Sequence, residues 1–296
     1  MAEIVVVGSL NLDTTIKVTR LPVPGETVIG TGHFADTGGK GANQAVAAAR
    51  FGRSVAMIGA VGADADGERL LASLRADGID PGGVRRDAGH PTGIAAISVD
   101  AEGENTIVVS PGANQALGPG DLEMHRDLIE SAAVLVLQLE IPVETVAAAA
   151  GMAAGIVLLN PAPAARLPAT LLQRADVLVP NQTELALLAG TAVPRTVDDA
   201  ATAASRLPGS IVVTLGAAGA LVVANGGSVH VRAPRVQAVD PTAAGDAFCG
   251  GLADALAGGE DLEQATRWAV RCGAAAVTRW GAQSSLPTRA EVEAAT

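Results

Sequence analysis

The chain has 296 residues, 49% of them hydrophobic and 17% charged, and a formal net charge of −11. That is material for one large domain or two small ones with an ample core. The acidic balance argues against a nucleic-acid or anionic-membrane surface, but not against a small anion held by backbone groups.

The Ala/Gly-rich stretch Val146–Leu159 is well short of the ~20 residues that span a bilayer. Met1-Ala2-Glu3 lacks a basic region and runs straight into an apolar strand, so no secretory signal is expected. Cys249 and Cys272 fall in predicted helices without C-x-x-C spacing, which reads as reduced, buried thiols of a cytoplasmic protein. His33, His90, His125 and His230 are isolated and form no metal-ligand spacing.

Ile4–Val7 is a continuous apolar run closed by Gly8-Ser9, the pattern of a strand buried on both faces. Asn11 and Asp13 follow it. Two alternating segments, about Thr14–Val18 and Thr27–Ala35, flank Leu21-Pro22-Val23-Pro24-Gly25, and a second pair, Ile94–Val99 and Thr106–Ser110, flanks Asp100–Gly103. Period-two alternation around Pro/Gly turns predicts antiparallel, half-exposed strands, together a small sheet that covers something.

Between them a glycine-rich turn leads into a predicted helix, Ala45–Phe51, then a strand at Val55–Ile58 and a helix at Gly67–Ala76. From about residue 115 the pattern alternates. Helix Asp121–Glu130, strand Val134–Leu139, helix Val143–Ala153, strand Ile156–Leu159, helix Leu167–Arg174 and strand Val177–Val179 come in turn. Helices Glu184–Ala189 and Asp198–Arg206 precede strand Ile211–Leu215. A hairpin at Ala220–Val223 and Ser228–Val231 and two long helices, Asp246–Ala257 and Leu262–Thr278, complete the chain. Alternating helices and apolar strands predict a mostly parallel sheet covered on both faces.

Polar groups recur just past the apolar runs: Asn11 and Asp13, Glu140, Asn160, Asn181, Thr214-Leu215-Gly216, and Asp240. Ligands of open α/β sheets bind at the carboxyl ends of strands, so these residues would ring one crevice.

Four stretches carry candidate chemistry. Gly38-Gly39-Lys40-Gly41-Ala42-Asn43 lacks the spacing and the Ser/Thr of a P-loop. It remains either a helix-entry turn or a place where backbone approaches a ligand, with Lys40 and Asn43 as donors. Asn181-Gln182-Thr183-Glu184 reads as a capping box, or as a carboxylate near hydrated Mg²⁺. Thr214-Leu215-Gly216-Ala217-Ala218-Gly219 is an αβ connection or a phosphate-facing nest. Ala243-Ala244-Gly245-Asp246 opens an apolar helix: Asp246 is its N-cap, or a base beside free N–H groups that suit phosphate.

Taken together, Gly38–Ala45 and Ala243–Asp246 resemble the sugar-binding and anion-hole signatures of the ribokinase-like (PfkB) family of carbohydrate kinases, over essentially the whole chain. The resemblance implies a single three-layer α/β domain over residues 1–296, with a mostly parallel central sheet. A small antiparallel β lid, about 13–36 and 92–111, would be inserted in it and would pair subunits into a homodimer. It implies ATP-dependent phosphorylation of D-ribose at O5, with Asp246 as catalytic base and Ala243, Ala244, Gly245 and Asp246 as anion hole. Asn11, Asp13, Gly39, Lys40, Gly41, Ala42, Asn43, Glu140 and Asp246 would hold the sugar. Asn181, Thr214, Leu215, Gly216, Ala217, Ala218, Gly219, Gly245 and Val270 would contact ATP, with Glu184 reaching Mg²⁺ through water. A monovalent-cation loop, K⁺ in the family, maps to Asp240, Thr242, Ala276, Arg279, Gly281 and Ser285; Pro241 departs from the commoner Thr there. Another sugar or nucleoside (deoxyribose, fructose, adenosine), or a non-catalytic sugar-binding regulator, are the alternatives. With 2% aromatic residues, base stacking is ill supplied.

Overall fold

The computed structural model describes residues 2–295. The first apolar run is strand β1 (Ile4–Val7), in which Ile4 and Val6 pack into one hydrophobic cluster and Val5 and Val7 into another. That split is what a strand covered on both faces requires. The chain then leaves the main sheet as β2 (Asn11–Lys17), returns as β3 (Gly32–Gly38), and passes directly into helix α1 (Lys40–Arg50). Strand β4 (Val55–Gly62), helix α2 (Ala65–Ala76) and strand β5 (Asp80–Asp87) follow, then a second excursion, β6 (Gly93–Val99) and β7 (Asn105–Ser110).

The regular alternation comes next: α3 (Pro119–Leu122), α4 (Arg126–Ser131), β8 (Val134–Leu137), α5 (Val143–Met152), β9 (Ile156–Leu159), α6 (Ala169–Arg174) and β10 (Val177–Leu178). Then come α7 (Gln182–Ala189), α8 (Val197–Ala204), β11 (Ser210–Thr214) and the hairpin β12 (Ala220–Ala224) and β13 (Gly227–Val231). Helices α9 (Ala244–Ala257), α10 (Leu262–Ala276) and α11 (Arg289–Ala294) end it.

Among the described residues the main sheet has nine strands in the order β13-β12-β11-β10-β9-β8-β1-β4-β5, parallel except for the β11-β12-β13 edge. Its order turns back at β1. The chain goes from β1 to β4 and β5 on one side, then crosses to β8 and onward on the other. The crevice of an open sheet lies at such a reversal, here between the carboxyl ends of β1 and β8.

The second sheet has the order β3-β2-β6-β7. It corrects the expectation of all-antiparallel strands: β2 and β6 are paired in parallel, Asn11 opposite Gly93 through Lys17 opposite Val99. Both strands run outward from the main sheet, so the strands brought together point the same way. Register corrects two boundaries as well. The pairing of Asn11 with Gly38 draws β2 back to Asn11 and shifts β3 to Gly32–Gly38, leaving Thr27–Gly30 outside any strand.

Other differences have local causes. Strand β5 escaped the periodicity because Pro81, Gly82, Gly83 and four charged residues give it no alternation; at a sheet edge that composition is tolerated. The expected helix Asp121–Glu130 is broken by a 3₁₀ turn at Glu123–His125. Cys249 and Cys272 are buried, unpaired thiols on the adjoining helices α9 and α10. A Cβ at Gly251 would lie 2.7 Å from Cys272 Sγ, so the glycine lets those helices meet closely.

Candidate active site

Helix α9 begins at Ala244, which removes the reading of Asp246 as its N-cap. The N-cap position is Ala243, with φ 59° and ψ 4° and no side chain to cap with. A left-handed conformation costs a non-glycine residue about 1–2 kcal/mol, so the surrounding fold holds it there. Ala244 N donates to Pro241 O (3.2 Å) and Ala247 N to Ala243 O (2.8 Å). The N–H groups of Gly245 and Asp246 between them have no acceptor among the described residues. A Cβ added at Gly245 would meet nothing within 4 Å, so the helix start is open as well as unpaired. Free amides at a helix start form a ready anion cradle.

Asp246 itself is buried and turned toward α1. Asn43 Nδ2 donates to its Oδ2 (2.9 Å) and Gln44 Nε2 to its Oδ1 (3.0 Å). Small residues make that reach possible: a Cβ at Gly250 would lie 2.5 Å from Ala47 Cβ and 2.9 Å from Gln44 O. Gln44 is in turn oriented by Gln138 Nε2, which donates to its Oε1 (2.7 Å), and its own Nε2 also donates to Asn160 Oδ1 (3.2 Å). Burial raises the Asp246 carboxyl pKa, opposed by Lys40, Asn43 and Gln44. Asn43 Oδ1 is buried without a partner among the described residues, an acceptor left for a hydroxyl donor.

At the β1/β8 reversal Ser9 Oγ donates to Glu140 Oε2 (2.6 Å), as does the Lys40 main-chain N–H (3.0 Å). Asn11 Nδ2 lies 3.5 Å from the same oxygen, and Asn11 Oδ1 accepts from Asn114 Nδ2 (2.8 Å). Glycines permit the crowding. Gly39 (φ 89°) has Leu10 and Asn11 main chain within 3.0 Å of where a Cβ would be, and Gly41 lies equally close to Ser9. Asp13 lies against Gly38. Its pKa is raised to about 7 by burial first, then by Glu140, Asp36 and Asp246. Burial disfavours the Lys40 ammonium, but Asp246, Glu140 and Glu184 outweigh it and hold its pKa above the usual lysine value.

The residues expected to meet the nucleotide lie at the next strand ends. Asn181 pairs beside Thr214 as a parallel bridge, next to the turn Leu215–Gly219, which closes through Leu215 N to Gly219 O (2.8 Å). Gly216, Ala217 and Ala218 are exposed there, and Ala218 O is 2.8 Å from His230 Nε2. The capping box at Asn181 is real: Glu184 N donates to Asn181 Oδ1 (2.8 Å), and Asn181 N and Nδ2 donate to the Glu184 carboxylate (2.8 and 2.9 Å). Burial raises the Glu184 pKa despite those bonds. Both its oxygens are engaged, so Glu184 fits a Mg²⁺ met through water better than direct ligation. Val270, on α10, is 5% exposed within the core cluster that contains Ala220, Val222 and Val231.

The residues of the expected cation loop converge too. Asp240 Oδ1 accepts from Thr242 N (2.9 Å) and its Oδ2 from Gly281 N (3.0 Å), while Arg279 N donates to Ala276 O (3.2 Å) and Ser285 Oγ to Ala282 O (2.9 Å). The carbonyl oxygens of Asp240, Thr242 and Gly281 accept no hydrogen bond among the described residues, a donor set that fits a monovalent cation. Beside the place where this loop meets the second sheet lies a cavity of about 220 Å³, lined by Asp13, Asp36, Asp240, Thr242 and Trp280 among others. It adjoins the residues expected to hold the sugar only at Asp13.

Sequence reasoning missed Gln44, Gln138, Ser9 and Asn114 as site residues. The available signal was a buried polar pair, Asn43-Gln44, in a helix otherwise built of alanine on that face.

The pfkB family carbohydrate kinase pattern matches residues 1–289. The chain is 40% identical to a ribokinase of Schizosaccharomyces pombe, covering 99% of this chain and 97% of that one. It is also 40% identical to a deoxyribokinase of Salmonella typhi, covering 97% and 96%. The solved ribokinase of Arabidopsis thaliana in complex with ribose and ATP superposes with a TM-score of 0.89 at 30% identity, covering 99% and 98%. On the full-length match and the assembled site, the chain belongs to the pfkB family of carbohydrate kinases.

Proposed function

We propose that this kinase transfers the γ-phosphoryl group of ATP to O5 of D-ribose, with Asp246 as base. The observation that carries the reading is the buried Asp246 carboxylate, fixed by Asn43 and Gln44 beside the unpaired amides at the start of α9. Asn11, Asp13, Gly39, Lys40, Gly41, Ala42, Asn43 and Glu140 hold the sugar, Asp13 and Glu140 as hydroxyl acceptors. Asn181, the Thr214–Gly219 turn, Gly245 and Val270 hold ATP. On binding, the O5 proton takes the place of an amide donor at Asp246. Within the anion hole Ala243–Asp246, the unpaired amides of Gly245 and Asp246 then stabilise charge on the transferring group. Phosphoryl transfer is loose in character, so fixing the reactants outweighs base strength. Glu184 would hold Mg²⁺ through water, and the ion would supply charge neutralisation of the phosphates.

We read the chain as one domain over 1–296, with the second sheet (about 13–36 and 92–111) as its lid. Closure of that lid keeps competing water out. Its outer face leaves Ile16 (42%), Ile94 (41%) and Val108 (70%) exposed, which supports a homodimer through the lid. The carbonyls of Asp240, Thr242 and Gly281, unpaired among the described residues, support K⁺ as monovalent cation. Pro241 gives up an N–H but no carbonyl. Among the described residues no helix is long and apolar enough to cross a membrane, and the reduced buried cysteines suit the cytoplasm.

An ADP-release assay over pentoses, hexoses and nucleosides, with and without K⁺, tests this. D-ribose is expected to give the highest kcat/KM and K⁺ to raise it. A preference for 2-deoxyribose, which the deoxyribokinase relative keeps open, would replace ribose without changing the roles of the residues. No ADP release with any sugar would sink the kinase reading.

A further inference from the structure

Asp36 stands directly opposite Asp13 in the β2/β3 ladder. Two carboxylates facing across a strand pair repel, and such a pair needs compensation. Asp36 finds it in the loop after α10. Its Oδ2 accepts from Ala282 N (3.1 Å), Ser284 N (3.3 Å) and Ser284 Oγ (2.8 Å), and its Oδ1 takes its neighbour's N–H at Thr37 (2.8 Å). The loop is shaped for this approach: Gly281 has φ 100°, and a Cβ there would lie 3.0 Å from Asp36 Oδ2. The same loop is gripped from the far side by Asp240, which binds both Gly281 N and Thr242 N just before the open start of α9. Beneath Asp36 the contact has a separate, buried base. Thr37 Oγ1 donates to Gln283 Oε1, Ser73 Oγ donates to it as well (3.1 Å), and Arg50 holds Gln283 O (2.7 Å) and Leu286 O (2.8 Å).

We infer that Asp36 is a positioning residue that latches the lid strand carrying it to the 281–284 loop, so that sugar affinity at Asp13 depends on the state of that loop. The chain of contacts is Asp13, its cross-strand neighbour Asp36, the loop amides, Asp240, and the turn that enters α9. Because Thr37, Gln283 and Arg50 fix the loop base independently, loss of Asp36 frees the latch without unfolding the loop. The inference rests on the reading of Asp13 as a sugar ligand; its first test does not.

Hydrogen exchange on the ligand-free protein is the first arm. Bonds to a charged acceptor are worth roughly 1.5–3 kcal/mol, so Asp36→Ala is expected to speed exchange of the Ala282 and Ser284 amides by about tenfold or more. Unchanged exchange there overturns the latch. The second arm is calorimetric binding of D-ribose, or of whichever sugar the wild type turns over best, without ATP. Asp36→Ala is expected to weaken it about fivefold or more, raising KM with kcat at saturating sugar little changed. Asp36→Asn decides the cause: it keeps an acceptor for the loop but removes the charge facing Asp13. Recovery of wild-type affinity in Asp36→Asn supports the latch. Equal behaviour of Asn and Ala assigns the effect to charge and overturns it, as does unchanged sugar affinity in Asp36→Ala.

Discussion

Two helix starts in this molecule follow the same sequence recipe and end in opposite states. At α7, Asn181 and Glu184 close on each other: their two amides and the carboxylate are spent on one capping box, and only the Gln182 and Thr183 amides lack an acceptor among the described residues. At α9, the acidic residue is turned away into a polar network, the cap position is a strained alanine, and the amide of Asp246, whose counterpart Glu184 is paired at α7, has no acceptor among the described residues. The first start is a closed end; the second forgoes that stabilisation, as the proposed anion cradle requires.

The sharpest way to break the contrast is Asp246→Asn. Losing a positioned base should lower kcat by about 10²–10⁴-fold, while the sugar Kd from calorimetry stays near wild type. Near-normal turnover would take Asp246 out of the mechanism. Next is Gly245→Ala. The added methyl meets no protein atom within 4 Å, and Ala suits a helix better than Gly by about 0.5–1 kcal/mol. The variant should therefore melt slightly higher, yet lose on the order of 100-fold in kcat/KM for ATP through displaced phosphate. A variant both stabler and fully active would mean the cradle is empty in the reaction.

The lid side gives a pH test. With its pKa at about 7, Asp13 is mostly neutral at pH 6 and mostly ionised at pH 8, so sugar affinity should fall about tenfold on acidification across that range. Asp13→Asn should bind weakly and flatly. The stability sign runs the other way. Between about pH 4 and 7 the folded chain holds a proton on Asp13 that the unfolded chain has released, so this group erodes stability as pH rises. Asp13→Asn should thus melt about 2–4 °C higher than wild type at pH 8 by calorimetry. The smallest effect belongs to α7: Asn181→Ala removes a working cap and should cost about 1 kcal/mol, visible as a lower denaturation midpoint. An equal loss from removing a side chain at Ala243 is not available, because that position caps nothing.

Much of this was readable in one dimension. The apolar runs of β1, β8, β9 and β11 announced a sheet covered on both faces, since only a strand buried on two sides tolerates unbroken Val, Ile and Leu. The polar residues after those runs, Glu140, Asn181 and Thr214 among them, announced one crevice, because parallel strands present their carboxyl ends together. Glycine spacing at Gly38–Gly41 left open a helix-entry turn or a backbone approach to a ligand; the structure shows Gly39 and Gly41 against the main chain of Ser9, Leu10 and Asn11. Edge strand β5 was silent, since an edge needs neither alternation nor β-branched residues.

What tertiary structure alone decided is which side chains meet. The order of strands placed the reversal between β1 and β8, and so joined Ser9 to Glu140 across 131 residues. Packing of α1 on α9 at Gly250 turned Asp246 from a presumed cap into a buried carboxylate held by Asn43 and Gln44. The pairing of β2 with β6 set Asp13 facing the site. Local sequence sets conformational preference over a few residues. Burial and hydrogen-bond partners come from segments hundreds of residues apart, and no local preference carries that information.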